Sequence, residues 1–476
     1  MHAYPHIQLL IHGQWRDSAQ TREVINPATE QVVGTVPVAA PQDIDDALAS
    51  AQRGLQVWRA TSVGERTAVL LRAAQLLRER AETIATATVL EQGKPLAAAK
   101  FEVLRAAGIL EWDANEGARH YGRTIDVAAG MHCEVRKEPI GVVAGFAPWN
   151  APVGSPMRKV AASLASGCAL ILKPAEETPA GAFYIAQALV DAGLPAGVLN
   201  VLYGNPTELS QRLISAPEVR LVTFTGSIAV GRALTQLAAQ HLKPSLMELG
   251  GHAPVIVCSD VDAAQVAAEA VKAKANNAGQ ICVSPTRFLV HAEVFETFSR
   301  TFAQLAQAIA VGDGFAPGTV MGPLSNARRV ADVDALVQDA IAHGAQVLAG
   351  GQRPKGPGYF YPLTVLANVP LTARVMHEEP FGPVAILNSF TDVEAAIAEA
   401  NRLPVGLAAY AYSRSFAMVE RLSSEIQVGS LAINTFQVSA AQTPFGGVKD
   451  SGFGREGGAE SLDAYTCIKS VMKAVH

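Results

Sequence analysis

The chain has 476 residues, too many for one ordinary core, so two large lobes and a small appendage are expected. With 49% hydrophobic and 17% charged residues and a mean hydropathy of +0.19, it is a well-buried globular chain rather than a disordered or fibrous one. A net charge of −5, a pI near 6.1 and the lack of any dense Lys/Arg stretch argue against a nucleic-acid partner.

Residues 1–15 have no basic start followed by a long apolar run, so no signal peptide is expected. The apolar spacing predicts amphipathic helices over 42–58 and 65–87. Residues 121–137 read as a hairpin. Short apolar runs follow at 140–146, 169–172, 198–202, 221–224 and 246–249, separated by helix-length segments, which is the signature of a parallel α/β sheet. The stretch between Lys159 and Lys173 is too short to span a bilayer, so no membrane segment is expected. A second series at 255–257, 288–290, 347–348 and 384–387, interleaved with helices over 263–278 and 330–343, predicts a second α/β lobe. The tail at 465–471 reads as a strand, and exposed strand edges usually find partners.

The five cysteines, Cys133, Cys168, Cys258, Cys282 and Cys467, are odd in number and dispersed, which suggests neither a disulfide framework nor a metal site and fits a reducing cytoplasm. Several other residues sit where chemistry is done. Gly226-Ser227 and Gly231 open a helix after a strand, either as a tight turn or as a cradle for phosphate. Lys173 and Glu176 follow a strand on what should be the same carboxyl edge, as a solvated pair or as ribose ligands. Cys282 follows a long Ala-rich helix, and a lone cysteine is either inert packing or a nucleophile. Glu248 closes an apolar strand, where a carboxylate needs a partner or a function, and so is a candidate general base. Asn150, in Pro148-Trp-Asn150, is either a turn residue or a donor to a developing oxyanion.

Together, and in this order, Ala147-Pro-Trp-Asn-Ala-Pro152, Lys173-Pro-Ala-Glu-Glu-Thr-Pro179, Phe224-Thr-Gly-Ser-Ile-Ala-Val-Gly231, Met247-Glu-Leu-Gly-Gly251, Gly279-Gln-Ile-Cys282, Glu378-Glu-Pro-Phe-Gly-Pro383 and Pro444-Phe-Gly-Gly447 resemble the aldehyde dehydrogenase superfamily. The resemblance implies an aldehyde dehydrogenase-like α/β fold with two α/β lobes, a Rossmann-like cofactor lobe and a catalytic lobe, plus a small β oligomerisation element. It divides the chain into 1–120 with 138–250, then 251–450, and finally 121–137 with 464–476. Because symmetric closure hides exposed strand edges, 121–137 and the C-terminal strand are expected to pair across subunits, giving a homodimer or homotetramer. It also implies that Cys282 attacks the aldehyde, that Asn150 and the Cys282 N–H hold the oxyanion, and that Glu248 activates water. Lys159 and Glu456 match positions linked to proton transfer and acid release. Trp149, Lys173, Glu176, Gly226, Ser227, Gly231, Glu379 and Phe381 would hold the cofactor. A carboxylate at Glu176 repels a 2′-phosphate, which favours NAD over NADP.

The semialdehyde dehydrogenase branch is the most similar, so the substrate is expected to be a semialdehyde such as succinate semialdehyde. Its distal carboxylate would be gripped by Arg158. The second arginine of that branch is replaced by Asn276, which leaves open a neutral, hydroxylated or aromatic aldehyde, with Ile281, Val283 and Ser439 lining the pocket. Where that branch can carry a second cysteine, this chain has Ser284. A reading from another class is a non-catalytic binding protein that has kept the fold.

Overall fold

The computed structural model describes residues 3–474; Met1, His2, Val475 and His476, at the ends of the first and last expected segments, lie outside the described residues. Eight strands form one sheet, in the order Gln14–Arg16, Leu9–Ile11, Leu199–Val201, Ala169–Lys173, Val142–Phe146, Val219–Thr225, Ser245–Glu248 and Gly452–Phe453. The five from Leu199–Val201 to Ser245–Glu248 are parallel. Every residue of Val142–Phe146 and of Ala169–Lys173 is buried, as expected when helices cover both faces of a parallel sheet. From Val142–Phe146 the chain first builds outward through Ala169–Lys173 and Leu199–Val201, then crosses back to Val219–Thr225 on the other side. Such a reversal splays the following loops apart and opens a crevice at the carboxyl ends of the strands.

A second sheet of seven strands runs Gln346–Ala349, Thr364–Ala367, Val384–Phe390, Arg287–His291, Pro254–Val257, Ala408–Tyr412 and Ser430–Ile433. All are parallel except Gln346–Ala349. Phe288 on this sheet meets Phe302 of helix Ala292–Gln307 edge-on, 5.2 Å between ring centroids. Arg123–Ala128, Met131–Pro139 and Thr466–Ala474 form a separate antiparallel sheet, so the predicted hairpin and tail strand pair with each other within one chain, and not across subunits as expected; Arg123–Ala128 and Thr466–Ala474 are its outer strands.

The structure departs from the expected elements in places. The helix expected over 65–87 is two, Val63–Glu79 and Ala81–Gln92, because Arg80 leaves helical geometry at φ −97° and ψ 8°. Ser62 and Glu65 form a reciprocal cap that starts the first of them. The helix expected over 263–278 ends at Ala275, since Asn277 and Ala278 turn left-handed with φ of 49° and 53°. The expected elements also omit the long helix Leu96–Arg119 and the strands Thr364–Ala367, Ala408–Tyr412 and Ser430–Ile433.

After the second sheet the chain returns to the first, where Gly452 and Phe453 pair antiparallel with Glu248 and Met247. This brace lies directly beside the residue that closes the Ser245–Glu248 strand. Gly452 has φ +111°, and a Cβ on it would lie 1.9 Å from the Met247 carbonyl oxygen. Gly452→Ala is therefore expected to destabilise the fold by roughly 1–3 kcal/mol. Urea unfolding monitored by circular dichroism checks this, and an unchanged midpoint would contradict it.

Candidate active site

The crevice predicted by the strand order holds a cavity of about 430 Å³. Its lining includes Trp149, Asn150, Arg158, Gly226, Ser227, Glu248, Ile281, Cys282, Val283, Glu379, Phe381, Ser439 and Glu456, which come from both lobes and from the segments on either side of Gly452–Phe453. Parallel register explains part of the convergence. Phe146 lies opposite Lys173 and Phe224, and Thr225 opposite Glu248, so the loops after these strands leave the sheet at one level.

Cys282 is half-buried and follows a strained turn. Asn277, Ala278 and Gly279 all have positive φ. The first two have a Cβ and pay for that conformation, so the surroundings must hold it. Gln92 Nε2 donates to Asn277 Oδ1 at 2.7 Å, and Asn277 Nδ2 donates to the carbonyl oxygens of Asn150 at 2.9 Å and Gln280 at 3.2 Å. Asn150 Nδ2 in turn donates to the Gln280 carbonyl at 2.9 Å. Gly279 has no room for a side chain, since a Cβ would lie 2.1 Å from the Gly382 carbonyl oxygen. Two of the motifs thus touch through their glycines. The surrounding protein, then Glu248 and Glu379, pushes the Cys282 thiol up to about 12, so attack needs a proton acceptor nearby.

Glu248 is 2% exposed, and neither carboxylate oxygen has a hydrogen-bond partner among the described residues. Burial raises its pKa well above the ordinary range, and Glu456 raises it further, against the opposing charges of Lys159, Arg158 and Arg455. Gly446 makes room for it: a Cβ there would sit 2.7 Å from Oε1. Lys159 is fully buried behind the cavity, 2.6 Å from Glu456 Oε1 and 2.7 Å from Thr225 Oγ1. Burying either charge alone would be costly, and this close pairing offsets part of that cost.

Two further residues carry no sequence signal. Glu102 Oε1 accepts from the Val153 and Gly154 N–H groups at 2.9 Å each, capping helix Gly154–Ala165, which bears Arg158 and Lys159. A carboxylate is favoured at that positive end. Its other oxygen pairs with Lys94 Nζ at 2.5 Å, and Lys94 also reaches the Asn150 carbonyl at 3.3 Å. Lys94 lies in the turn between helices Ala81–Gln92 and Leu96–Arg119 and Glu102 on the helix that the expected elements omit, so neither stands out in the sequence.

The residues expected to hold a dinucleotide are grouped in a way that suits one. Gly226 and Ser227 lead into helix Ile228–Gln240, whose cap is Ser227, so free N–H groups face outward there. Trp149 and Phe381 meet edge-on at 5.6 Å, and Glu379 lines the same end of the cavity. Lys173 and Glu176 form an ion pair of 2.6 Å, and Glu176 also accepts from the Gly204 N–H at 3.3 Å. This pair lies at the same sheet edge but does not line the cavity. Gly231 does not line it either: it packs on Leu249, whose Cδ2 would lie 2.3 Å from an added Cβ, so its smallness serves helix-to-strand packing. Asn276 is exposed and also lies outside the lining.

Among the described residues, no helix is long and apolar enough to cross a membrane. The chain is 45% identical over 97% of its length, and 97% of the relative's, to a putative 4-(hydroxymethyl)benzenesulfonate dehydrogenase of Comamonas testosteroni. It is 40% identical over 97% of its length, and 96% of the relative's, to the succinate-semialdehyde dehydrogenase [NADP(+)] of Escherichia coli K12. Its fold matches the NAD+ complex of an aldehyde dehydrogenase from Bacillus cereus with a TM-score of 0.97 at 32% identity, covering 99% of this chain and 97% of that one. The aldehyde dehydrogenase family model matches residues 15–471, and with these sequence and fold similarities it shows that the chain belongs to the aldehyde dehydrogenase family.

Proposed function

We propose that the protein oxidises an aldehyde carrying a distal negative group, a semialdehyde such as succinate semialdehyde, to the carboxylic acid, with Cys282 as nucleophile and Glu248 as base. The observation that carries this is the buried carboxylate of Glu248, without a hydrogen-bond partner, in the same cavity as Cys282 and Asn150. The Cys282 thiol gives its proton to water before attack, and Glu248, its pKa raised by burial and by Glu456, acts in the later step. The thiolate adds to the carbonyl carbon, and the resulting oxyanion is met by the second Asn150 Nδ2–H and the Cys282 N–H. The bond from Asn150 to the Gln280 carbonyl fixes the amide while leaving that second N–H uncommitted. A nicotinamide held at Trp149, Gly226, Ser227, Glu379 and Phe381 would supply the hydride acceptor, and loss of the hydride would leave the substrate as a thioester on Cys282. Ionised Glu248 then takes a proton from water as it attacks the thioester and passes that proton to the departing sulfur, releasing the acid and restoring both the thiol and the carboxylate.

The residues grouped at Trp149, Gly226, Ser227, Glu379 and Phe381 support the use of a nicotinamide dinucleotide. NAD is the preferred form in this reading, because Glu176, held by Lys173 and Gly204, places a carboxylate where a 2′-phosphate would be repelled. Lys159 and Glu456 tune Glu248. Arg158 and Ser439 face the distal end of the substrate, and Ile281 and Val283 flank Cys282. A reducing, cytoplasmic setting agrees with five free cysteines.

The reading also includes self-association. Register places Ile125, Ile468 and Met472 on one face of the three-stranded sheet, all exposed, and every residue of the Arg123–Ala128 edge is exposed. An apolar face beside an open edge favours symmetric pairing with another copy as a dimer or a tetramer.

Cys282→Ala should abolish aldehyde-dependent NADH formation, with NAD outperforming NADP in the wild type. Glu248→Gln should retain the first burst of NADH while steady turnover falls about a hundredfold to ten-thousandfold; undiminished steady turnover would exclude Glu248 as base. A base works only when ionised, so the raised pKa of Glu248 sets the acid limb of the kcat profile above the usual carboxylate range. Glu456→Gln removes a negative neighbour and leaves Lys159 unpaired, so that limb should move to lower pH; a move to higher pH would contradict the coupling. Light scattering should give a dimer or tetramer mass, and a monomer would contradict the proposed pairing.

A further inference from the structure

The semialdehyde reading needs two cations at the far end of the substrate, yet Asn276, at the position of the second arginine, lies outside the cavity. Another arginine reaches the place. On helix Leu96–Arg119 the spacing of Glu102, Arg105 and Ile109 puts all three on one face, and that face lines the cavity. Arg105 Nη2 donates to Ser439 Oγ at 3.2 Å, and Arg158 Nη2 donates to the same oxygen at 3.1 Å. Two guanidinium groups therefore meet on one neutral hydroxyl.

The nearby carboxylates do not balance them. Glu102 is engaged by Lys94 and two backbone N–H groups, and Glu456 by Lys159. Glu456 comes no closer to Arg158 than 4.0 Å, and Arg105 has no ion-pair partner among the described residues. Arg158 is 9% exposed, and its Nη1 is buried with no hydrogen-bond partner among the described residues. Two like charges this close, each short of acceptors, are a site in want of an anion.

We propose that Arg105 supplies the second guanidinium of an oxyanion-binding subsite, so that the enzyme selects aldehydes whose far end carries a carboxylate or a sulfonate. Arg105, Arg158 and Ser439 present their donors from three elements toward one point, which suits an anion with two or three equivalent oxygens. Arg105 is a specificity residue, acting on binding and not on the bond changes at Cys282. The inference rests on the aldehyde-oxidation reading above, and its test keeps the two separable.

Three aldehydes of one shape serve as probes: para-formylbenzoate, para-formylbenzenesulfonate and para-methylbenzaldehyde. In the wild type, kcat/KM should favour one or both anionic aldehydes over the methyl compound, and the favoured one identifies the preferred oxyanion. In Arg105→Met the ratio should fall about tenfold to a hundredfold, mainly through KM. Arg105→Lys should recover part of it, and added salt should shrink the wild-type advantage, because Arg105 is exposed. An unchanged ratio in Arg105→Met, or a wild type that prefers the methyl compound, would overturn the proposal. A calorimetric titration with unreactive para-methylbenzenesulfonate and para-methylbenzoate reads the subsite without turnover. Weaker binding by Arg105→Met supports the subsite even if no aldehyde is oxidised, an outcome that would contradict only the oxidation reading; equal binding by both proteins overturns the subsite.

Discussion

The hydrogen bond from the Asn150 side chain to the Gln280 carbonyl joins the loop that leaves the first sheet to the loop that carries Cys282, and the rest of the site is arranged around it. Asn277 reinforces the junction by donating to backbone oxygens on both loops, and Gln92 holds Asn277 from a third direction. Bonds of this kind are individually modest, but when buried they are costly to leave unmade, so the network permits few alternatives. It stabilises two consecutive left-handed residues ahead of the nucleophile. The strain is local and its beneficiary is the position of Cys282.

Around that junction the protein keeps more charge than a core of this kind usually tolerates. Lys94 with Glu102, eight residues apart, and Lys159 with Glu456, far apart in the chain, are largely buried pairs. Each pair costs desolvation, and each holds a piece of backbone or a helix end in place. Glu248 is the exception, buried with no hydrogen-bond partner among the described residues. A carboxylate left in that state shifts toward its neutral form, so its pKa lies above the ordinary carboxylate range, which suits a group that takes and returns a proton. The charge pairs that brace the site and the carboxylate that works in it are thus distinguished by hydrogen bonding more than by burial.

The strands of both sheets that carry the motifs were legible in the sequence, because fully buried parallel strands read as short apolar runs bounded by turns. Cys282, Glu248 and Asn150 were legible as a set, each weak alone. Glu102, Lys94 and Arg105 were not: Lys94 lies in a turn, the other two lie on a helix that the expected elements omit, and a lone charge reads the same whether it meets water, a helix end or a cavity. Gly231 misled for a related reason: spacing places it at a helix start, but the direction of its missing Cβ gives it to Leu249. The split at Arg80 left no mark in the apolar spacing, which continues through it. Thr364–Ala367, Ala408–Tyr412 and Ser430–Ile433 are short, and their strand character comes from neighbours in the sheet.

The central claim is covalent: the oxidised substrate is carried on the sulfur of Cys282 until Glu248 lets water release it. Peptide mass spectrometry of the Glu248→Gln protein, acid-quenched after mixing with aldehyde and oxidised dinucleotide, tests it directly. The account predicts an acyl group on the peptide containing Cys282 and on no other cysteine. NADH formed with no adduct there, or with the adduct on Cys258 or Cys467, would contradict it.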